Sequence, residues 1–159
     1  MIKPDDLRTH LTQALPNLSR DPDRLLVFID QGTLGATFSP NLSFEWRYTL
    51  NLIFTDFAGD PDAIMIALLA WIHDNQSNLL LNPDQQNAIQ FEAEILNNTA
   101  LDLSIKLPLT ERVVVKERAG GGQSVVHAPE PLLETPYTAK QWAVYAGDEL
   151  LCQWNVRDG

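Results

Sequence analysis

The side chains that could do chemistry in this chain are few and scattered. His10, His73 and His127 share no HExxH or HxH spacing, so no two imidazoles sit at a metal-ligand interval. The text nearest to a GxSxG nucleophile elbow, Gly122-Gln123-Ser124-Val125, lacks the second glycine. Neither GxxxxGK[ST] nor GxGxxG occurs, so no glycine loop is built to cradle phosphates, and Gly120 to Gly122 reads as a flexible hairpin tip. Pro-Asp pairs at Pro4-Asp5, Pro22-Asp23, Pro61-Asp62 and Pro83-Asp84 raise the question of a metal-dependent nuclease. Such a site needs an acidic residue two before a lysine, and Ser104, Val114 and Thr138 stand there instead, ahead of Lys106, Lys116 and Lys140. Asp56, Asp60 and Asp62 lack the spacing and closing glutamate of a calcium loop, and helix capping accounts for two of them. No catalytic residue, cofactor or metal ligand is expected, and the chain does not read as an enzyme.

What the charges do form is a pattern. Lys106, Arg112, Lys116 and Arg118 fall on one side of a strand, opposite Val113 and Val115. This basic stripe lies on an acidic molecule: the net charge is -10, and residues 1 to 100 hold 5 basic against 13 acidic residues. That balance argues against direct reading of nucleic acid and against an anionic membrane surface, since both reward clustered Lys and Arg. With Glu111 and Glu117 nearby, one reading of the stripe is a solvated strand face. The sharper reading is a protein interface, in which an acidic body with a basic patch docks head to tail on copies of itself and closes a ring where the rotation allows.

The elements that would carry these residues follow from periodicity. Leu42 to Phe57, LSFEWRYTLNLIFTDF, places Leu42, Phe44, Trp46, Tyr48, Leu50, Leu52 and Phe54 on one side and Ser43, Glu45, Arg47, Thr49 and Asn51 on the other, the pattern of a long central strand. Leu7, Leu11, Ala14 and Leu15 make one apolar helix stripe ending near Pro16, and Pro16 to Asp23 reads as a turn. Leu25 to Ile29 and Leu34 to Phe38 read as a hairpin about Asp30-Gln31-Gly32-Thr33. Asp60 as N-cap and Pro61 at the first position start a helix whose run from Ala63 to Ile72 is apolar all round. That run is too short to span a bilayer, and the helix must be covered on two sides, by a sheet and by either the first helix or another subunit. Ile89 to Ile95 and Leu101 to Arg118 alternate as a second hairpin, Ser124 to His127 as a short strand, and Trp142 to Ala146 with Leu150 to Trp154 as a third hairpin. The last is too small to stand alone and is expected to dock on the main sheet or on a neighbour. Cys152 is the only cysteine, which excludes an intrachain disulfide and is consistent with a reducing compartment. The N-terminus has no apolar signal region, so a soluble protein folded in the cytoplasm is expected. The expected fold is α+β: a single domain with a mainly antiparallel mixed sheet of about five strands and two helices packed on one face. Residues 1–127 would form that domain, and 128–159 a Pro-rich linker and a C-terminal hairpin.

Several segments together resemble a known family. KPDDLRTHLTQALP, LLVFIDQGTLGAT, LSFEWRYTLNLIFTDF, AIMIALLAWI with the following NPD, FEAEILNN, and LPLTERVVVK with HAPEP occur in order over residues 3–131. They resemble the tail completion protein R family of P2-like contractile-tailed bacteriophages. The resemblance implies a structural virion protein similar in role to tail terminators, which form hexameric rings at the head-proximal end of the tail. It implies contacts with itself, with tail-tube and sheath proteins and with head-tail connector proteins, at the neck of the virion after assembly in the host cytoplasm. The expected contact residues are Arg112, Lys116 and Arg118, with the polar row Glu45, Arg47 and Asn51. The alternative is a monomeric assembly factor that helps tails mature without remaining in the particle.

Overall fold

The computed structural model describes residues 1–36, 40–131 and 141–156. Among the described residues, four α-helices, α1 (Lys3–Ala14), α2 (Pro16–Arg20), α3 (Pro61–Asn75) and α4 (Asn78–Leu81), accompany seven strands. The strands are β1 (Leu25–Ala36), β2 (Phe44–Phe57), β3 (Gln90–Ile95), β4 (Leu101–Glu117), β5 (Gln123–His127), β6 (Gln141–Ala146) and β7 (Glu149–Asn155). The fold is α+β, as the alternation predicts, and every strand pairing described is antiparallel rather than mixed.

The main sheet has the order β1-β2-β4-β3, and β5 pairs with the far end of β4 on the same edge as β3. β4 is therefore the axis: its residues 101–106 pair with β3, and 113–117 pair with β5. The predicted long strand, β2, lies beside it along almost its whole length. Register brings like faces together. Tyr48, Leu50, Leu52 and Phe54 lie beside Leu109, Leu107, Ile105 and Leu103, and all eight are buried.

Helices cover that face. Asp60 Oδ1 accepts the Asp62 N–H at 2.9 Å, so the N-cap read from the sequence is in place, with Pro61 opening the helix. α3 turns Ile64, Leu68 and Ile72 inward, all essentially without exposure, and α1 adds Leu7 and Leu11 to the same core. The second side of α3 is closed by α1 and by the β6–β7 hairpin. His10 of α1 donates from Nε2 to Ala67 O at 2.8 Å, Trp71 Nε1 donates to Asp6 Oδ2 at 2.8 Å, and buried Cys152 lies 3.9 Å from Ala63 O. Trp154 stacks on Trp142 at 6.0 Å and meets His10 edge-on at 5.7 Å. The molecule is thus three layers deep: open sheet, helices, hairpin.

Three expectations are corrected. Asp30 to Thr33 is not a hairpin turn; β1 runs straight through it, with Gln31 and Gly32 opposing Tyr48 alone as a bulge, and Gln31 in the left-handed region at φ 48°. Thr37 and Phe38 lie outside the described residues. Pro16 to Asp23 is helical rather than a turn, because proline at the first position of both α2 and the 3-10 turn Pro22–Arg24 favours helix entry. The C-terminal hairpin docks on α1 and α3 instead of the main sheet, since those helices present the apolar side that the sheet leaves uncovered.

Candidate assembly interface

The face of the sheet turned away from the helices is open, and parity places the predicted polar and basic rows on it. Register decides which residues meet. Glu45 lies directly opposite Arg112, Arg47 opposite Thr110, and Asn51 opposite Lys106. Glu45 Oε1 also accepts from Arg47 Nε at 2.7 Å, with Arg47 the more exposed partner. The Arg47 guanidinium lies over Gly35, where an added Cβ would come within 3.0 Å of Nη2. A glycine at that position is what lets the guanidinium sit flat on β1. Glu45, Arg47 and Arg112 therefore form one local cluster. An exposed pair of this kind contributes about 0–1 kcal/mol to stability, so its value lies in surface chemistry.

The other predicted residues sit apart from that cluster. Asn51 is six residues further along β2, roughly 20 Å away, where its amide accepts from Ser104 Oγ at 3.0 Å and donates to Asp30 at 3.4 Å. Lys116 lies opposite Ser124 at the far end of β4. Arg118 is beyond the strand, in the β4–β5 tip, where its N–H donates to Gly122 O and its carbonyl accepts from Gly121. The three tip glycines all have positive φ, 94°, 105° and 81°, a conformation open to glycine and costly for other residues.

A second polar group, which the sequence reading passed over, lies under the opposite face. The sequence groups Glu111 with the solvated charges beside the stripe, but it is 3% exposed. Its odd number in β4 puts it on the side of Leu107, Leu109 and Val113, and that parity was the available signal. Glu111 Oε2 accepts from the Tyr48 hydroxyl at 2.6 Å, and Oε1 accepts the Ile2 N–H at 2.7 Å and the Lys3 N–H at 3.3 Å. A carboxylate at the first turn of α1 satisfies N–H groups that the helix itself leaves unpaired and suits the positive end of its dipole. Burial, and then the neighbouring Glu111 carboxylate, push the Tyr48 hydroxyl far above the usual phenol range.

Lys3, Gln76 and Thr110 complete the group. Between β3 and β5, the outer edge of β4 has no strand neighbour among the described residues. Side chains stand in for one: Lys3 Nζ donates to Thr110 O at 2.6 Å, and Thr110 N donates to Gln76 Oε1 at 3.1 Å. Lys3 Nζ also reaches Gln76 Oε1 at 2.7 Å and Glu130 Oε1 at 2.8 Å, tying the first residues of the Pro-rich segment to the N-terminus. His127 Nδ1 lies 3.5 Å from Glu111 Oε1 and is the one buried side-chain polar atom among the described residues without a hydrogen bond. This network staples the N-terminus of α1, the end of α3 and the middle of β4 together. Among the described residues no three His, Cys, Asp or Glu side chains converge as a metal site, and no helix is long and apolar enough to cross a membrane.

Comparison with known proteins places the chain. The family model described as P2 phage tail completion protein R (GpR) matches residues 1–131. The tail completion protein R of Escherichia phage P2 is 40% identical over 156 residues, covering 98% of this chain and 99% of the phage protein. That similarity runs through the C-terminal hairpin, beyond the last residue of the family model. No solved structure matches the chain. The chain belongs to the P2 phage tail completion protein R (GpR) family.

Proposed function

We propose that this protein completes the phage tail as a ring at its head-proximal end, ending growth of tube and sheath and offering a surface to which the head joins. The observation that carries this reading is the similarity to the phage P2 tail completion protein R over 98% of the chain. The architecture suits the role. Helices bury one face of the sheet, while the other is left open as a broad wall carrying Glu45, Arg47, Asn51, Arg112 and Lys116. The partners are further copies of the chain, arranged as a hexamer by analogy with tail terminators, the last tube or sheath ring on one side, and the head-tail connector on the other. Arg112, Lys116 and Arg118 supply the positive contacts on an otherwise acidic body. The protein resides at the virion neck after assembly in the host cytoplasm.

The test is a phage lacking the protein, with its particles imaged by electron microscopy. Tails of uncontrolled length and unjoined heads are expected, together with density for the protein at the neck of wild-type particles. Normal-length tails joined to heads in its absence would overturn the reading.

A further inference from the structure

The two free edges of the main sheet are unlike each other, and each is unusually apolar for an edge. β3 is exposed along its whole length, with Phe91 64% and Ile95 80% exposed on the helix-side face and Glu92 and Glu94 on the open face. β1, at the other edge, shows Leu26, Phe28, Ile29 and Leu34, each more than 40% exposed. A long apolar edge invites pairing with another strand unless something guards it. Among the described residues, Arg8 guards the backbone of β1 at its start, where its Nη1 donates to Leu25 O at 2.9 Å.

Strand direction decides what can pair. In the order β1-β2-β4-β3 each neighbour is antiparallel, so the two edge strands run in opposite directions. A second copy, placed by rotation alone, presents its β1 antiparallel to β3 of the first. The alternative, β3 against β3 about a two-fold axis, sets Glu92 and Glu94 of one copy against the same pair in the other, and like charges facing across strands are destabilising.

Register adds apolar complementarity. The sheet levels Ala93 with Leu103, Phe54 and Leu25, and Phe91 with Ile105, Leu52 and Val27. With no axial offset between copies, Phe91 meets Val27 of the next copy and Glu92 meets its Leu26, while Glu94 falls beside Arg24 in the 3-10 turn just before β1. Neither Glu92 nor Glu94 forms an ion pair within the chain among the described residues, whereas Arg24 already sits between Asp56 at 2.7 Å and Asp21 at 3.6 Å. That guanidinium is thus already shared by two carboxylates, and the apolar pairing of Phe91 with Val27, not an ion pair, carries the contact.

We infer that β3 of one copy adds edge to edge onto β1 of the next, so that the open sheets form one continuous wall around the ring. The inference rests on the ring proposed above and names its subunit contact. The contact is head to tail, as ring closure requires. It also sorts the ends of the strands. The tip carrying Lys116 and Arg118 faces along the ring axis in one direction. The acidic end, with Asp21, Asp23, Asp56 and Asp102, faces the other, giving two chemically different surfaces for two axial partners.

The experiment introduces single cysteines at two exposed positions, Glu92→Cys and Leu26→Cys, with native Cys152 buried. The full-length proteins are treated with a short bifunctional thiol reagent, and their masses are measured before and after. Expected are a discrete oligomer before treatment, a covalent dimer only when the two single variants are mixed, and a covalent ladder from the double variant. Dimers from Glu92→Cys alone would overturn the inference in favour of a two-fold contact. An intact oligomer with no mixed cross-link would overturn the edge contact and leave the ring standing, whereas monomers throughout would overturn both. Phe91→Lys, at a position exposed in the single chain, serves as an independent arm: monomers of unchanged thermal stability are expected, and an unaltered oligomer contradicts the contact.

Discussion

Lys3 Nζ lies 2.6 Å from the carbonyl oxygen of Thr110, taking the place of a neighbouring strand at the gap between β3 and β5. A side chain from the third residue thus completes the hydrogen bonding of the central strand, and Lys3 is only 7% exposed in doing so. Replacing it with methionine keeps the aliphatic stem but leaves Thr110 O, Gln76 Oε1 and Glu130 without their shared donor. Lys3→Met is expected to destabilise the fold by roughly 2–4 kcal/mol, measured by urea denaturation, because buried acceptors lose a charged partner. Amide exchange at Ile2 and Thr110 should quicken together if the staple acts as one unit.

Tyr48 and Cys152 predict how the fold responds to alkali. Both groups are pushed above their ordinary values chiefly by burial. A group whose folded pKa is raised holds its proton in the native state, so its contribution is complete below the unfolded pKa and is lost as pH rises above it. Stability is therefore expected to fall from about pH 9 upward, as the unfolded thiol and then the phenol, with ordinary values of 9.0 and 10.0, begin to ionise. Tyr48→Phe should cost about 1–2 kcal/mol at neutral pH through the lost bond to Glu111 and should flatten the alkaline limb. An alkaline limb of unchanged slope in that variant would show that Tyr48 is not its source.

The main helix depends on a local signal that can be tested alone. Asp60→Ala removes the acceptor for the Asp62 N–H and should lower stability by about 1 kcal/mol. Asp60→Asn, which retains a capping oxygen, should recover most of it, as followed by thermal unfolding.

The hairpin makes a separate prediction. Trp154 stacks on Trp142 and meets His10, so Trp154→Ala unseats β6–β7 from α1 and α3 and uncovers the apolar outer side of α3. The expected outcome is a loss of about 1–3 kcal/mol, since Trp154 is only half-buried, with faster proteolysis within 141–156. Equal loss of protection across the whole chain would show instead that the hairpin and the sheet unfold together.

Charge reversal addresses the open face. Arg112→Glu with Lys116→Glu leaves the chain folded, since both residues are exposed, but is expected to abolish tail completion in a complementation assay. Full complementation would remove the basic stripe from the contact surface.

Much of this fold is legible in the sequence wherever one face of an element is buried, because burial enforces a period. The alternation of Phe44 to Phe54 gives β2, that of Leu101 to Val115 gives β4, and Asp60-Pro61 marks the start of α3. The same parity puts Arg112 and Lys116 on the open side. It does not say that Glu45 faces Arg112, because register depends on loop lengths and bulges that the pattern of one strand does not contain. Asp30-Gln31-Gly32 shows the same limit: residues that favour left-handed backbone serve a turn or a bulge equally well. Lys3, Gln76 and Glu111 lie far apart in the chain and converge only when β4 is left without a neighbour at Thr110, so residue type alone does not announce the network.

The most direct test of the account is the mass of the purified protein in solution, by native mass spectrometry and sedimentation, at low and at high salt. The account predicts a closed oligomer at a fixed whole-number multiple of 17.8 kDa. A single species of 17.8 kDa under both conditions would contradict it.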